Sequence, residues 1–295
     1  MRHSAFSFCF WIISLSTGYA QNAPLLRFGL MADIQYCDCD TKGSRHYRRS
    51  LDKLEAAIDD FNAHQVEFVL NLGDLVDRNY EDLDAVIGQQ RLSKARIYNV
   101  LGNHDYDGVA RNKKLYQKLG LHHDYYSFEE KGWRFIMLNT NEIASYANVK
   151  GRKEKELSKL YLNIKRRDRN NDQEWNGGIS QRQMKWLEKL LRRSQKSGEK
   201  VLIFSHHPLY PAEIHAALND AEILETISPY AGIIKALISG HNHAGAYAVY
   251  QDIPCITLEG MVETAAENAY VIAEIYPDKM LLNGKERASS YEIDL

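Results

Sequence analysis

Ile97-Tyr98-Asn99-Val100-Leu101-Gly102-Asn103-His104-Asp105 is an apolar run that empties into an amide, a histidine and an acid. A short apolar run bounded by polar residues reads as a buried strand, and the residues beyond it as the loop at its carboxyl end. The same grammar recurs along the chain. Residues 25–31 run into Ala32-Asp33, Phe68-Val69-Leu70 into Leu72-Gly73-Asp74, and 133–138 into Asn139-Thr140-Asn141. Residues 201–204 precede Ser205-His206-His207-Pro208, and 233–238 precede Ser239-Gly240-His241-Asn242-His243. Helical patterns lie between. Leu51, Leu54, Ile58 and Phe61 fall three and four apart within 44–64, one face of an amphipathic helix. Ser180 and Gln183 make a capping box ahead of the stripe Met184, Leu187, Leu190 and Leu191, and Ser197-Gly198 ends it. Strand, loop and helix in repetition predict an α/β architecture with helices covering the sheets.

Five of these strand ends carry side chains fit to bind a hard or borderline cation. They are Asp33 with Gln35, Asp74, Asn103 with His104, His206, and His241 with His243. An open α/β sheet gathers its functional loops along the carboxyl edge of its strands, so distant residues converge there. In extended backbone, positions i and i+2 share a side, so Asp33/Gln35 and His241/His243 are each expected to face one centre. Seven oxygen or nitrogen donors suit two ions about 3.5–4 Å apart. Singly these are weak signals, since an Asp after a strand is usually a cap or turn residue. Their co-occurrence is the signal. His207 points away from His206 in extended backbone and reads as a bystander or a substrate contact. His46, His64, His122, His123 and His215 have no motif support and read as structural or exposed.

The 295 residues can bury one large core. With 44% hydrophobic and 26% charged residues and a net charge of −2, no global field draws the chain to nucleic acid or an anionic membrane. Attraction for a phosphate must be local, which points to metal rather than a basic surface. Residues 1–20 read as a secretory signal: a weakly basic start, an apolar stretch from Ala5 to Leu15, and Gly18-Tyr19-Ala20 before Gln21. That stretch is short of the ~20 residues of a spanning helix, so the expectation is an exported chain, with 21–295 as one monomeric domain. Cys9 would leave with the signal. Cys37, Cys39 and Cys255 then read as incidental thiols, because Cys-x-Cys is too tight for a zinc clip. A basic insertion is expected around 143–178. Its 150–172 portion holds nine Lys and Arg against four acids and reads as a solvated lid or exposed insertion rather than a nucleic-acid contact.

The order Asp33-x-Gln35, Gly73-Asp74, Gly102-Asn103-His104-Asp105, His206, Gly240-His241-Asn242-His243 resembles the calcineurin-like metallophosphoesterase superfamily over nearly the whole mature chain. The first block there normally reads Asp-x-His. Gln35 in place of that histidine, with Arg45-x-Tyr47-Arg48-x-Ser50-Leu51 after it, is similar to the manganese-dependent ADP-ribose/CDP-alcohol diphosphatases. Asn176-Gly177-Gly178-Ile179, Leu258-Glu259-Gly260-x-x-Glu263-Thr264 and Tyr276-Pro277-Asp278-Lys279-Met280 extend the likeness.

The resemblance implies a layered sandwich of two central mixed β-sheets flanked by α-helices. It implies two divalent ions, Mn²⁺ preferred, with Mg²⁺, iron or Zn²⁺ as alternatives. Asp33, Gln35 and His243 would hold one ion, Asn103, His206 and His241 the other, and Asp74 would bridge. His104 would serve catalysis beside the reacting phosphorus. A hydroxide between the ions would cleave the phosphoanhydride of a small nucleotide-type substrate such as ADP-ribose or a CDP-alcohol. The amide oxygen of Gln35 hardens one site, favouring Mn²⁺ or Mg²⁺ over zinc. Asp77 stands where a purple acid phosphatase would place its tyrosine, against that option. The loop Cys37 to Gly43 is short and polar where the diphosphatases carry a longer aromatic one. Tyr36, Tyr47, Arg48 and His207 are the candidates for substrate contact. The competing expectations are an exported phosphomonoesterase or phosphodiesterase that scavenges nucleotides, and a binding protein that kept the fold without the chemistry.

Overall fold

The computed structural model describes residues 23–295; the expected signal segment and Cys9 lie outside them. Each of the six apolar runs becomes a strand, and β4, which no run announced, joins them: β1 (Leu26–Met31), β2 (Phe68–Asn71), β3 (Arg96–Asn99), β4 (Tyr126–Glu130), β5 (Trp133–Met137), β6 (Lys200–Phe204) and β7 (Ile234–Ser239). The carboxyl-terminal strands follow as β8 (Ala244–Tyr250), β9 (Ile253–Glu259), β10 (Ala269–Ile275), β11 (Lys279–Glu286) and β12 (Tyr291–Asp294). Helices α1 (Ser50–Ala63), α2 (Leu83–Gln90), α3 (Asn112–Lys118), α4 (Arg152–Arg166), α5 (Gln181–Ser197) and α6 (Asp220–Ile227) lie between. One sheet runs β12-β11-β10-β1-β2-β3 and the other β4-β5-β6-β7-β9-β8. Both are mixed: β1, β2 and β3 are parallel, as are β5, β6, β7 and β9, with antiparallel strands at their sides.

The two sheets pack face to face. Leu26, Phe28 and Leu30 of β1 meet Phe135 and Met137 of β5 and Leu202 and Phe204 of β6 in one buried cluster. Deleting one of its phenyl rings would cost about 3–5 kcal/mol, transfer plus cavity. The outer face of the first sheet packs on α1 and α2 through Val69, Leu54, Ile58, Phe61 and Val86. Gly29 is required there, because a Cβ would fall 2.8 Å from the Phe61 ring. The outer face of the second sheet packs on α5 and α6 through Ile136, Ile203, Leu187, Leu191 and Ile223. Ser180 caps α5 by accepting from the Gln183 amide, and Gly198 closes it in the left-handed region at φ 74°, as the capping signals predict.

Two expectations change. The 150–172 segment is not a solvated lid: α4 buries Leu157, Leu160 and Ile164 against Ile143 and Leu218. Its charge density masks a 3–4 apolar spacing, and Arg169 anchors the segment's end by donating twice to Asp220 at 2.6 Å. Cys37 and Cys39 are not free thiols but a disulfide, their Cα atoms 5.2 Å apart and within bonding reach. Among the described residues no helix is long and apolar enough to cross a membrane.

Candidate active site

The parallel strands of both sheets deliver their loops to one edge, and the five motifs meet there. They meet on a backbone unlike the extended one expected. Asp33, Gln35, Asp74 and His241 all sit in the left-handed region, at φ 54°, 43°, 55° and 72°. Non-glycine residues pay conformational energy there, and such outliers cluster at functional sites. Asp33 and Gln35 therefore converge through left-handed turns rather than through extended alternation.

Crossed hydrogen bonds hold these loops. The Asp33 amide donates to the Gly73 carbonyl and the Gln35 amide to that of Asp74. Asp105 accepts from the backbone amides of Gly102, Leu75 and Asp74 at 2.8, 2.7 and 3.1 Å, clamping two loops with one buried carboxylate. Burial and the neighbouring Asp74 push its pKa up to about 7, against the pull of those amides. Gly102 leaves no room for a side chain, since a Cβ would lie 2.1 Å from Asp74 Oδ1.

Each histidine turns an outer nitrogen to an oxygen and an inner one to the centre. His206 Nδ1 donates to the Leu72 carbonyl (2.8 Å), His241 Nε2 to Asn176 Oδ1 (3.1 Å), and His243 Nδ1 to Glu263 Oε1 (2.7 Å). Such outer partners fix the tautomer and aim the other lone pair inward. His206 Nε2 then lies 3.1 Å from Asn103 Oδ1, 3.2 Å from His241 Nδ1 and 3.4 Å from Asp74 Oδ2. These are four acceptors with at most one proton among them. Beside them, His243 Nε2 approaches Asp33 Oδ1 at 3.6 Å. Gln35 Nε2 donates to Asp74 Oδ2 at 3.0 Å, while Gln35 Oε1 is buried with no partner.

The charge state tells the same story. Burial works against a charge on His206, yet Asp74 and Asp33 raise its pKa to about 9. Burial would also raise Asp74, but His206 and His104 hold it well below the carboxylate range. The cluster demands positive charge, and one proton cannot serve all its acceptors. Asp33, Asp74 and His206 place one atom each within 4.8 Å of one another, as do His206, His207 and His241. An orphaned amide oxygen, converging lone pairs and an oxygen–nitrogen donor set fit divalent cations.

The calcineurin-like phosphoesterase pattern matches residues 26–245. The chain is 28% identical to the manganese-dependent ADP-ribose/CDP-alcohol diphosphatase of Danio rerio, over 92% of this chain and 98% of that protein. It is 29% identical to the Homo sapiens enzyme of the same name, over 89% and 91%. The crystal structure of a dimetal phosphatase from Danio rerio superposes with a TM-score of 0.83 at 26% identity, covering 92% of this chain and 99% of that one. The chain belongs to the calcineurin-like phosphoesterase family. It is a hydrolase, with the two-sheet layered fold of that family.

The phosphoesterase motifs floor a cavity of about 520 Å³, with Gln35, Asp74, Asn103, His104, His241 and His243 among its lining residues. His104 is fixed at both ends of its residue. Its amide donates to Asp74 Oδ1 and its ring Nδ1 to the Asp77 carbonyl, both at 2.8 Å. Burial opposes a charge on the ring, but Asp74, Asp107 and Asp77 outweigh it and raise the pKa to about 10. The cavity walls are Arg45, Asp107, Tyr146, Glu174, Trp175 and His215. A larger cavity of about 780 Å³ lies beside α4 and α5. It holds none of the clustered acceptors, and two of its three cations, Arg152 and Lys153, are paired with Glu156 and Glu142, with Arg182 the third.

The expected substrate contacts are elsewhere. Tyr47 is buried with Cys37 and Val262 beneath the Arg78 guanidinium, so it is core. Tyr36 packs at the margin of the α1 core and bridges to Val76. Arg48 donates to Asp38 and Asp40 in the exposed loop and does not line the cavity. His207 is fully buried behind His241, bonded to Thr140 Oγ1 at 2.8 Å and to the Trp175 carbonyl at 3.0 Å; it braces the floor. His215, expected to be structural or exposed, is a wall residue with its ring 5.7 Å from that of His241. Arg45, Trp175 and Tyr146 were not named for substrate contact because loop residues without periodicity announce no direction. Two sequence signals existed, Arg45 at the head of the Arg45-x-Tyr47-Arg48 block and Trp175 directly before Asn176-Gly177-Gly178.

Proposed function

We propose that this hydrolase is a two-metal, Mn²⁺-preferring diphosphatase that cleaves the phosphoanhydride of small nucleoside-diphosphate-linked compounds of the ADP-ribose and CDP-alcohol type. The observation that carries the reading is the meeting of acceptor atoms around His206 Nε2 and the orphaned Gln35 Oε1. Asp33, Gln35 and His243 would hold one ion, Asn103, His206 and His241 the other, and Asp74 would be shared. Ions bound there would supply Lewis acidity and lower the pKa of a water. Two neutral amide oxygens, from Gln35 and Asn103, favour a hard cation such as Mn²⁺.

The chain's own residues do the rest. The His104 ring, locked through Nδ1, presents its other nitrogen beside the floor, where it can steady developing charge or hand a proton to the departing oxygen. Arg45 brings a guanidinium to the wall, 3.8 Å from Glu263 and 3.9 Å from Asp77, in reach of a second phosphate in the cavity. Trp175, 42% exposed, offers a flat apolar face at the rim, which suits a nucleobase. The relatives' names supply the substrate class. Export through residues 1–20 belongs to the same proposal and rests on their composition; a mature amino terminus at Gln21 would support it.

The test is a panel of ADP-ribose, CDP-choline and a generic phosphate ester, offered to chelated protein refilled with Mn²⁺, Mg²⁺ or Zn²⁺. Release of AMP from ADP-ribose or CMP from CDP-choline, best with Mn²⁺, is expected. Turnover confined to monoesters or cyclic nucleotides would overturn the substrate assignment.

A further inference from the structure

The three histidines of the floor are not supported alike. The outer nitrogens of His206 and His241 donate to neutral oxygens, the Leu72 carbonyl and the Asn176 amide. His243 alone donates to a carboxylate, Glu263 Oε1 at 2.7 Å. That carboxylate is held firmly. Lys53 is buried in α1, and its Nζ donates to the backbone carbonyls of Met261, Glu263 and Thr264 at 3.0, 2.6 and 2.7 Å, which satisfies all three of its protons. The 44–46 segment pairs with the same loop from the other side, through His46 to the Val262 carbonyl and Thr264 to that of Ser44. The Arg45 guanidinium lies 3.8 Å from Glu263 Oε1.

A carboxylate behind a histidine raises the ring's basicity and its strength as a ligand. Its place here matters, because the same half of the floor carries Gln35, a neutral oxygen and a weaker donor than an imidazole. Glu263 also breaks the charge symmetry. The His243 half has Asp33 as its own carboxylate and Glu263 behind it, whereas the half formed by Asn103, His206 and His241 has no carboxylate except the shared Asp74.

We infer that Glu263 is a positioning residue that makes the Asp33–Gln35–His243 half the tighter of two cation sites, so that it fills first. The inference rests on the two-metal reading above. Outer partners of metal-bound histidines are worth about 10–100-fold in metal affinity, and that is the size of asymmetry expected.

Titrating chelated protein with Mn²⁺ tests this without any turnover, using the electron paramagnetic resonance signal of free Mn²⁺ to count what is bound. The wild-type chain should show two classes of site, one equivalent each. In Glu263→Gln the tight class should weaken by about 10–100-fold and the weak class stay where it was. Glu263→Asp keeps the charge with a shorter reach, so it should retain two classes with the tight one only partly weakened; it decides the matter should Glu263→Gln fail to fold. Two equal classes in the wild type, or a tight class indifferent to both substitutions, would overturn the inference and leave the two-metal reading standing. Failure to bind Mn²⁺ at all would overturn both.

Discussion

The floor of the cavity and its walls obey different rules. On the floor the histidines have fixed directions: outer nitrogens are tied to Leu72, Asn176 and Glu263, inner ones converge beside the unpartnered Gln35 Oε1, and four residues hold left-handed backbone there. On the walls Arg45, Trp175 and His215 come from three separate loops and answer to no common geometry. Cation chemistry fixes where donors must stand and allows little variation. Substrate recognition needs only a surface of suitable shape and charge, which many side chains can supply. The floor therefore states the reaction, and the walls choose the molecule.

Substitutions on the two surfaces should therefore differ in kind. The largest effect is expected at Asp74, which touches both halves through Gln35 and His206. Asp74→Ala should abolish hydrolysis and lower bound metal at both positions, read by elemental analysis; full metal content in the variant would count against a shared ligand. Next comes His104, on the floor but outside the donor set. His104→Ala should cut kcat by about 10²–10⁴ with metal content intact, and an unchanged kcat would remove it from the reaction. A wall residue should behave otherwise. Trp175→Ala is expected to raise KM by roughly 5–150-fold for a base-bearing substrate, the equivalent of about 1–3 kcal/mol of stacking, with kcat nearly unchanged. Equal losses on a substrate lacking a base would show that Trp175 shapes the floor through His207 instead.

The smallest effect lies off both surfaces. Burial would raise the pKa of Glu142, but Lys153, Gln183 and Ser180 outweigh it and hold it below the carboxylate norm. A carboxylate depressed on folding contributes stability above its unfolded pKa of about 4.3 and loses it as pH falls through the lower folded value. Glu142→Gln should thus be less stable near neutrality, by about 1–3 kcal/mol for a charged hydrogen bond removed. The gap from wild type should close as the pH drops below about 4, followed by urea melts. A gap independent of pH would assign the loss to packing.

The same division governs what could be read in the sequence. Strands β1, β2, β5, β6 and β7 were legible because near-complete burial demands apolar runs, and β3 by its apolar residues although it is only partly buried; β4 and β8 to β12 were not read. Asp33, Asp74, Asn103, His206 and His241 were legible because ligand-type residues ended those runs. The left-handed turns at Asp33, Gln35, Asp74 and His241 were not, since glycine advertises that conformation strongly whereas Asp and His do so only weakly. Tyr47 and Arg48 looked like recognition residues by type and proximity; packing against Cys37 and Val262 and pairing with Asp38 and Asp40 claimed them first. In α4, charge density hid the stripe Leu157, Leu160, Ile164. Wall residues are set by loop geometry, which depends on the whole fold, and their local traces, Arg45 in its block and Trp175 before Asn176-Gly177-Gly178, do not say which way the side chain faces.

Whether Asp33, Gln35, Asp74, Asn103, His206, His241 and His243 form one dinuclear site can be seen by diffraction. Crystals grown with Mn²⁺ and recorded at its absorption edge should show two anomalous peaks, about 3.5–4 Å apart, on either side of the Asp74 carboxylate. A single peak, or peaks remote from these seven side chains, would contradict it.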